Sequence, residues 1–198
     1  KDRLVAYEAK IDSDRLMHGD ISTLEELKRL EDAIKNQSEG PLYFYDRASM
    51  TTGELSASAH LAVAKHGVRV ILVDYLQIMG DRVEGDDSIY ARVSHASGAL
   101  RVLAGTLNVC IVAATQMSRK YSNRDDPMPR LADAKGAGEI EQDCFWMLGL
   151  WREKDGSEAQ VKVLKNRNGP NNIAIPMTFD ARYARFHGSV VVEKKREK

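Results

Sequence analysis

The stretch VRVILVDYLQIMG, residues 68–80, decides the fold class of this chain. Apart from Arg69, residues 68–73 are all apolar, which predicts a strand that is buried on both faces. The strand ends at Asp74, and ligands of open parallel sheets bind beyond the carboxyl ends of the strands. Asp74 is therefore predicted to be either a ligand-binding carboxylate or a residue that caps the next helix.

A second apolar run, VCIVAATQ at residues 109–116, follows a long helical pattern. One side of that predicted helix carries regularly spaced apolar residues: Ile89, Val93, Ala96, Leu100, Leu103 and Leu107. Apolar strands that alternate with helices indicate a parallel sheet with helices on both faces. The fold class predicted from the residues is therefore α/β.

Two earlier helices are predicted by a serine or threonine three residues before a glutamate, in the pairs Ser22–Glu25 and Thr51–Glu54. The first helix would bury Leu24, Leu27, Leu30 and Ile34 on one face, and Gly67 would end the second. Between them, PLYFYD at residues 41–46 predicts a short buried strand.

The C-terminal part predicts strands rather than helices. The runs FWMLGLW, AQVKVLK and NIAIPMTF begin at residues 145, 159 and 172, and the last two flank a turn sequence typical of an antiparallel β-hairpin. ARFHGSVVV, residues 184–192, is expected to add an edge strand. We expect one domain over residues 1–192 and a disordered charged tail over residues 193–198.

Composition narrows the functional classes. The 198 residues contain 29 Lys and Arg against 29 Asp and Glu, so any nucleic-acid contact must come from a few local loops. No run approaches the about 18 apolar residues of a membrane span, so a cytoplasmic protein without a membrane partner is expected. Cys110 and Cys144 lie in apolar runs and predict buried free thiols, with an inter-strand disulfide as the alternative.

Three further residues could act on phosphate. Gln116 ends the second strand, where an amide can contact a terminal phosphate or orient a water; alternatively it only closes the strand. Lys165 and Arg167 lie two residues apart, so they point to the same side and suit the oxygens of a transferring phosphoryl group. Otherwise the pair lies on a solvated face, or it projects across an oligomer interface.

Four segments in this order and spacing, ILVDYLQIM, LNVCIVAATQMSR, LADAKGAGEIEQD and KNRNGP, resemble the C-terminal ATPase domain of DnaB-type replicative DNA helicases. The resemblance runs from about residue 1 to residue 186. It implies a RecA-like, mostly parallel sheet flanked by helices, with a C-terminal antiparallel hairpin. It also implies a hexameric ring in a bacterial or phage replisome that uses ATP and Mg²⁺ to move on single-stranded DNA, with primase and a helicase loader as possible partners.

The resemblance assigns expected roles to the candidate residues. Asp74 matches the Walker B aspartate that holds Mg²⁺, and Gln116 matches the glutamine that senses the γ-phosphate. Arg167 matches the arginine finger and Lys165 its companion, both of which would reach the ATP of the adjacent subunit. The rival enzyme class, a RecA-like recombination or circadian-type ATPase, would have other residues around the metal aspartate, and Asp-Tyr-Leu-Gln argues against it.

The predicted DNA-binding loop departs from the family pattern. Where the family usually has Arg-Glu-Ser-Gly, this chain has Lys-Gly-Ala-Gly at residues 135–138. Lys135, Gly136 and Gly138 would still offer one cation and backbone N–H groups to the DNA backbone. The alternative is a mobile glycine-rich surface loop.

The phosphate-binding loop G-x-x-x-x-G-K-[ST] does not occur in these 198 residues. We therefore expect an N-terminally truncated helicase core that hydrolyses no ATP alone and exposes an apolar groove where a central strand would lie. The alternative function is a degenerate RecA-like subunit, which binds DNA or helicase partners without hydrolysing ATP.

Overall fold

The computed structural model describes residues 2–47, 49–86, 88–117, 126–134 and 137–188. Within these ranges the helices are α1 (Asp2–Ala9), α2 (Ser13–Met17), α3 (Leu24–Glu39), α4 (Thr52–His66), α5 (Ile89–Leu107) and α6 (Ala137–Asp143). The strands are β1 (Val70–Val73), β2 (Cys110–Ala113), β3 (Trp146–Arg152), β4 (Glu158–Asn166), β5 (Ala174–Asp180) and β6 (Arg185–Gly188). Short 3₁₀ helices cover Leu76–Ile78, Leu131–Asp133 and Ala181–Tyr183.

The strands form a parallel pair and a separate four-stranded sheet. β1 and β2 run parallel, with Val70 opposite Cys110 and Val73 opposite Ala113, and α5 connects them. The second sheet has the order β3-β4-β5-β6, and β6 pairs antiparallel with β5 at the edge. The predicted α/β class, the C-terminal hairpin and the edge strand are confirmed.

The chain divides into two compact units. The first comprises residues 1–45, 150–161 and 174–198, and the second comprises residues 46–149 and 162–173. In the second unit, the core consists of buried side chains from α5, α6, β3, β4 and the segment after β1: Leu76, Met79, Val93, Ala96, Leu100, Ile140, Met147 and Leu164. The apolar face predicted for α5 is thus largely buried, with Ile89 and Leu107 only partly so.

The first unit has a small core of its own, in which Ala9, Ile11 and Ala33 are buried. α3 lies against this core through Ala33 and Leu30, whereas three of its predicted apolar-face residues are largely exposed: Leu24, Leu27 and Ile34. The predicted burial of these three residues is wrong. An apolar helix face is buried only where another element packs against it, and the small core here contacts α3 at Ala33 and Leu30.

The predicted N-cap of α3 is displaced by one residue. Thr23, not Ser22, caps the helix: its hydroxyl accepts a hydrogen bond from Glu26 N at 3.1 Å. Glu26 in turn accepts from Ser22 N at 3.0 Å and pairs with Arg15 at 2.8 Å. Ser22–Glu25 and Thr23–Glu26 both fit the sequence pattern, and the ion pair to Arg15 selects the second.

The caps of α4 are as predicted. Thr51 and Glu54 form a reciprocal capping box, and Gly67 ends the helix in the left-handed region at φ 64°. A side chain at residue 67 would be strained there, because L-residues rarely adopt this conformation.

Several segments predicted to be buried are exposed. Residues 41–46 form no strand, and Leu42 and Tyr45 are exposed. Val70 and Leu72 on β1 are 54% and 68% exposed, and the other exposed members of the predicted interior include Cys110, Val112 and Trp146. The described residues leave the outer face of the parallel pair uncovered, so an apolar pattern alone did not ensure burial. Both cysteines are free, as predicted, but neither is buried, since Cys110 is exposed and Cys144 is partly buried.

None of the helices in the described ranges combines the length and apolar character needed to cross a membrane. The predicted tail at residues 193–198 lies outside the described residues, and the single domain expected over residues 1–192 stays a prediction.

Candidate functional site

Asp74 immediately follows β1, and its carboxylate is exposed. The peptide bond between Asp74 and Tyr75 is cis. The 3₁₀ helix that follows begins after Tyr75 and has no side-chain cap, so Asp74 does not cap it. Within the described part of the chain, no hydrogen bond or ion pair engages the Asp74 carboxylate. An oxygen donor at the carboxyl end of a parallel strand is thus available to a hard cation such as Mg²⁺.

Gln116 lies beyond the end of the neighbouring strand β2, and the side chain of Gln77 connects the two strand ends. Gln77 Oε1 accepts a hydrogen bond from Gln116 N at 3.1 Å, and Gln77 Nε2 donates to Thr115 Oγ1 at 2.8 Å. Asp74 and Gln116 therefore lie on segments that a single side-chain amide ties together.

Backbone hydrogen bonds continue past the end of the parallel pair. Ala114 N donates to Val73 O at 2.9 Å, and Leu76 N donates to Ala114 O at 3.0 Å. Leu76 is buried in the core, so the turn after Asp74 is fixed at its base. Hydrogen bonds and burial therefore fix the backbone segments that carry Asp74 and Gln116.

Lys165 and Arg167 both contact the C-terminal end of α6. Lys165 Nζ donates to the carbonyl oxygens of Glu141 and Cys144, the latter at 2.9 Å. Arg167 Nη2 donates to Gln142 O at 3.3 Å, and its guanidinium carbon lies 4.4 Å from the centre of the Phe145 ring. Helix C-termini carry unpaired carbonyls and partial negative charge, so both cations are stabilised there.

The end of α6 is itself anchored. Ile140 is buried in the core, and Asp143 pairs with Arg101 of α5 at 3.3 Å. Burial raises the pKa of the Cys144 thiol, while the Lys165 ammonium acts in the opposite direction. The thiol therefore stays protonated at neutral pH and behaves as a packing residue.

The predicted DNA-binding loop is only partly described. Lys135 and Gly136 lie outside the described residues, whereas Gly138 is exposed near the start of α6. Met117 forms an isolated antiparallel bridge with Ala134. The residue after Gln116 is therefore paired with the residue that precedes Lys135.

The structure thus brings the predicted site residues together as two pairs. Asp74 and Gln116 lie on neighbouring segments beyond the ends of the parallel strands, and Lys165 and Arg167 both contact the end of α6. No hydrogen bond or ion pair between described residues joins one pair to the other. The sequence interpretation did not single out Gln77, although it is the fourth residue of the motif Asp-Tyr-Leu-Gln and its spacing from Asp74 was visible.

The family follows from comparison with known proteins. Residues 1–188 match the family described as the DnaB-like helicase C terminal domain. This match, which covers nearly the whole chain, shows that the chain belongs to that family. The predicted resemblance is confirmed.

Curated relatives are replicative helicases from several bacteria. The chain is 37% identical over 158 residues to "Replicative DNA helicase DnaB" of Leifsonia xyli subsp. xyli (strain CTCB07), covering 75% of this chain and 34% of the relative. It is 31% identical over 185 residues to "Probable plasmid replicative DNA helicase" of Chlamydia trachomatis, covering 93% of this chain and 40% of the relative. The chain thus spans about a third to two fifths of these relatives.

Solved structures show the same fold. "ATPase Domain of G40P" superposes with a TM-score of 0.85 at 24% identity, covering 94% of this chain and 69% of that one. "The Structure Of A DnaB-Like Replicative Helicase And Its Interactions With Primase" gives a TM-score of 0.84 at 25% identity, covering 93% of this chain and 47% of that one. The RecA-like fold predicted for this chain is therefore confirmed.

Proposed function

We propose that this chain is the ATPase part of a ring-shaped replicative DNA helicase subunit, which couples Mg·ATP hydrolysis to movement on single-stranded DNA and duplex unwinding. The observation that carries the proposal is the placement of Asp74 and Gln116 on tied segments at the carboxyl ends of two parallel strands. Family membership supports the same reaction class.

The residues present fit one end of Mg·ATP. The exposed Asp74 carboxylate suits the metal, and Gln116 suits the terminal phosphate. Asp74 would hold Mg²⁺, which would supply positive charge against the negative charge that develops during phosphoryl transfer. The chain contains no loop of the G-x-x-x-x-G-K-[ST] type, so the cradle for the remaining phosphates is not among these residues.

Lys165 and Arg167 act in trans in this proposal, and the active site is completed by the neighbouring subunit of a homo-oligomeric, hexameric ring. Both cations contact the end of α6, and among the described residues neither makes a hydrogen bond or ion pair to Asp74 or Gln116, which favours a role outside their own site. Lys135, Gly136 and Gly138 would contact the DNA backbone. Primase and a loader are further proposed partners in a cytoplasmic replisome, and the first is suggested by the structural relative described with primase.

A second candidate function is that of a degenerate RecA-like subunit, one that binds DNA or helicase partners without hydrolysing ATP itself. The contacts that Arg167 makes to its own chain at the end of α6 are compatible with this function. Such a subunit would still present Arg167 to a neighbour.

The test measures DNA-stimulated ATP hydrolysis by the polypeptide that the gene encodes and by the 198-residue chain alone. We expect activity from the first and none from the second. Asp74→Asn and Arg167→Ala should each lower kcat by about 10³-fold or more. Arg182→Ala is the control, because this exposed arginine lies in the other unit, where it contacts Asp180 and the Tyr183 ring.

Mixing the two inactive variants tests the trans arrangement. A ring interface that combines an intact Asp74 from one subunit with an intact Arg167 from the next should recover hydrolysis above either variant alone. Full activity of the Arg167→Ala variant, or no recovery on mixing, contradicts the trans role. No activity from the encoded polypeptide supports the degenerate subunit.

A further inference from the structure

We propose that Gln77 is a positioning residue, which holds Gln116 in place beside Asp74 through its side-chain amide. This inference rests on the proposed function, because it concerns the site in which Gln116 would meet the terminal phosphate. It adds a residue to that site and identifies Thr115 as its partner.

The orientation of the Gln77 amide is fixed chemically. A backbone N–H can only donate, so the group 3.1 Å from Gln116 N must be the carbonyl oxygen Oε1. The amine Nε2 then donates to Thr115 Oγ1 at 2.8 Å. The oxygen and the nitrogen of one amide thus form hydrogen bonds with two consecutive residues, Thr115 and Gln116. A rotation of the Gln77 side chain would break both bonds together.

Gln77 extends from a rigid base. It lies in the 3₁₀ helix Leu76–Ile78, with buried residues close on either side: Leu76 is 4% exposed and Met79 is 5% exposed. Leu76 N also donates to Ala114 O at 3.0 Å. The backbone that carries the amide is therefore anchored in the core of the unit.

Gln77 supports Gln116 at a point where β2 has already ended. β2 stops at Ala113, and Ala114 makes the last backbone bond to the β1 side before the segment turns away. Beyond that residue, the Gln77 side chain bonds the Thr115 hydroxyl and the Gln116 backbone N–H. A group that must meet a phosphate loses rate steeply when displaced, about 10²-fold for about 1 Å.

The structural part of the test needs no nucleotide. Hydrogen exchange at the Gln116 amide is measured by NMR in the wild-type chain and in the Gln77→Met variant, which keeps the side-chain length and removes both bonds. We expect Gln116 to exchange about 3- to 10-fold faster in the variant, the loss of one ordinary hydrogen bond. Gln37→Met on α3 is the matched control and should leave Gln116 unchanged. Unchanged exchange in the Gln77→Met variant overturns the proposal.

The kinetic part uses the polypeptide that the gene encodes. We expect the Gln77→Met variant to lower kcat for DNA-stimulated ATP hydrolysis by about 10-fold or more, with KM for ATP changed less than about twofold. Thr115→Val should lower kcat less, because the bond to Gln116 N survives, and Thr115→Ser should keep the wild-type value. A merely structural role would instead change kcat and KM together, or would not distinguish valine from serine.

The outcomes separate the two proposals. If the wild type hydrolyses no ATP while Gln116 still exchanges faster in the Gln77→Met variant, the proposed function fails, but the hydrogen bond from Gln116 to Gln77 is confirmed. If the wild type is active and the Gln77→Met variant has an unchanged kcat, the positioning role is wrong while the proposed function stands.

Discussion

Replacing Lys165 with methionine is expected to destabilise the chain even in the absence of nucleotide or DNA. The Lys165 ammonium donates to the carbonyls of Glu141 and Cys144 at the end of α6. A hydrogen bond that involves a charged group contributes about 1.5–3 kcal/mol. Both carbonyls can take water in the variant, since the site is half-buried, so we expect a total loss of about 1.5–3 kcal/mol. In a chain of this size, 1 kcal/mol corresponds to about 2–4 °C in Tm.

The assay is equilibrium unfolding in urea, followed by the fluorescence of Trp146 and Trp151, which both lie on β3. Lys162→Met on the same strand is the control, since Lys162 makes no hydrogen bond to a described residue, and it should stay within about 0.5 kcal/mol of the wild type. An unchanged urea midpoint for Lys165→Met refutes the reasoning. A confirmed loss means that any effect of Lys165 on hydrolysis must be measured in folded protein.

Two further predictions concern stability. Gly149→Ala should lower the free energy of unfolding by about 1–3 kcal/mol, because the added Cβ would lie 2.5 Å from Pro129 Cβ. Gly105→Ala, whose Cβ would have nothing within 4 Å, should stabilise α5 slightly. Urea unfolding of both variants measures the difference. Hydrogen bonds from Arg15 lower the pKa of Glu26 to about 2, so the unfolding free energy should fall as pH drops from about 4.5 to about 2. Glu26→Gln should flatten that decline in circular dichroism titrations, and an equally steep decline in the variant contradicts the assignment.

Local patterns predicted most of the secondary structure, because they depend on few residues. The capping box of Thr51 and Glu54, the left-handed Gly67 and the apolar face of α5 each need only their own helix and one neighbour. The parallel pairing of β1 and β2 followed from two apolar runs around a helix, and it placed Asp74 and Gln116 at one edge.

Features that depend on residues far apart in the chain could not be predicted from the sequence. The exposure of Val70, Leu72 and Trp146 could not be read from an apolar pattern, since the pattern does not show what covers a face. The role of Gln77 depends on a hydrogen bond to a residue 39 positions away. The roles of the site residues and the contacts of the DNA-binding loop stay predictions.

The contacts that Arg167 makes at the end of α6 compete with any other ligand for its guanidinium. If Arg167 contacts a phosphate on a neighbouring subunit, as proposed, that phosphate must displace its guanidinium from Phe145 and Gln142. An exposed cation–π contact contributes about 0.5–1 kcal/mol, which lowers the apparent affinity for that phosphate by about two- to five-fold. Lys165, held by two carbonyls, is displaced far less readily. In that proposal Arg167 is therefore the more readily released of the two cations, and Lys165 must give up two hydrogen bonds to the end of α6 before it can act in trans.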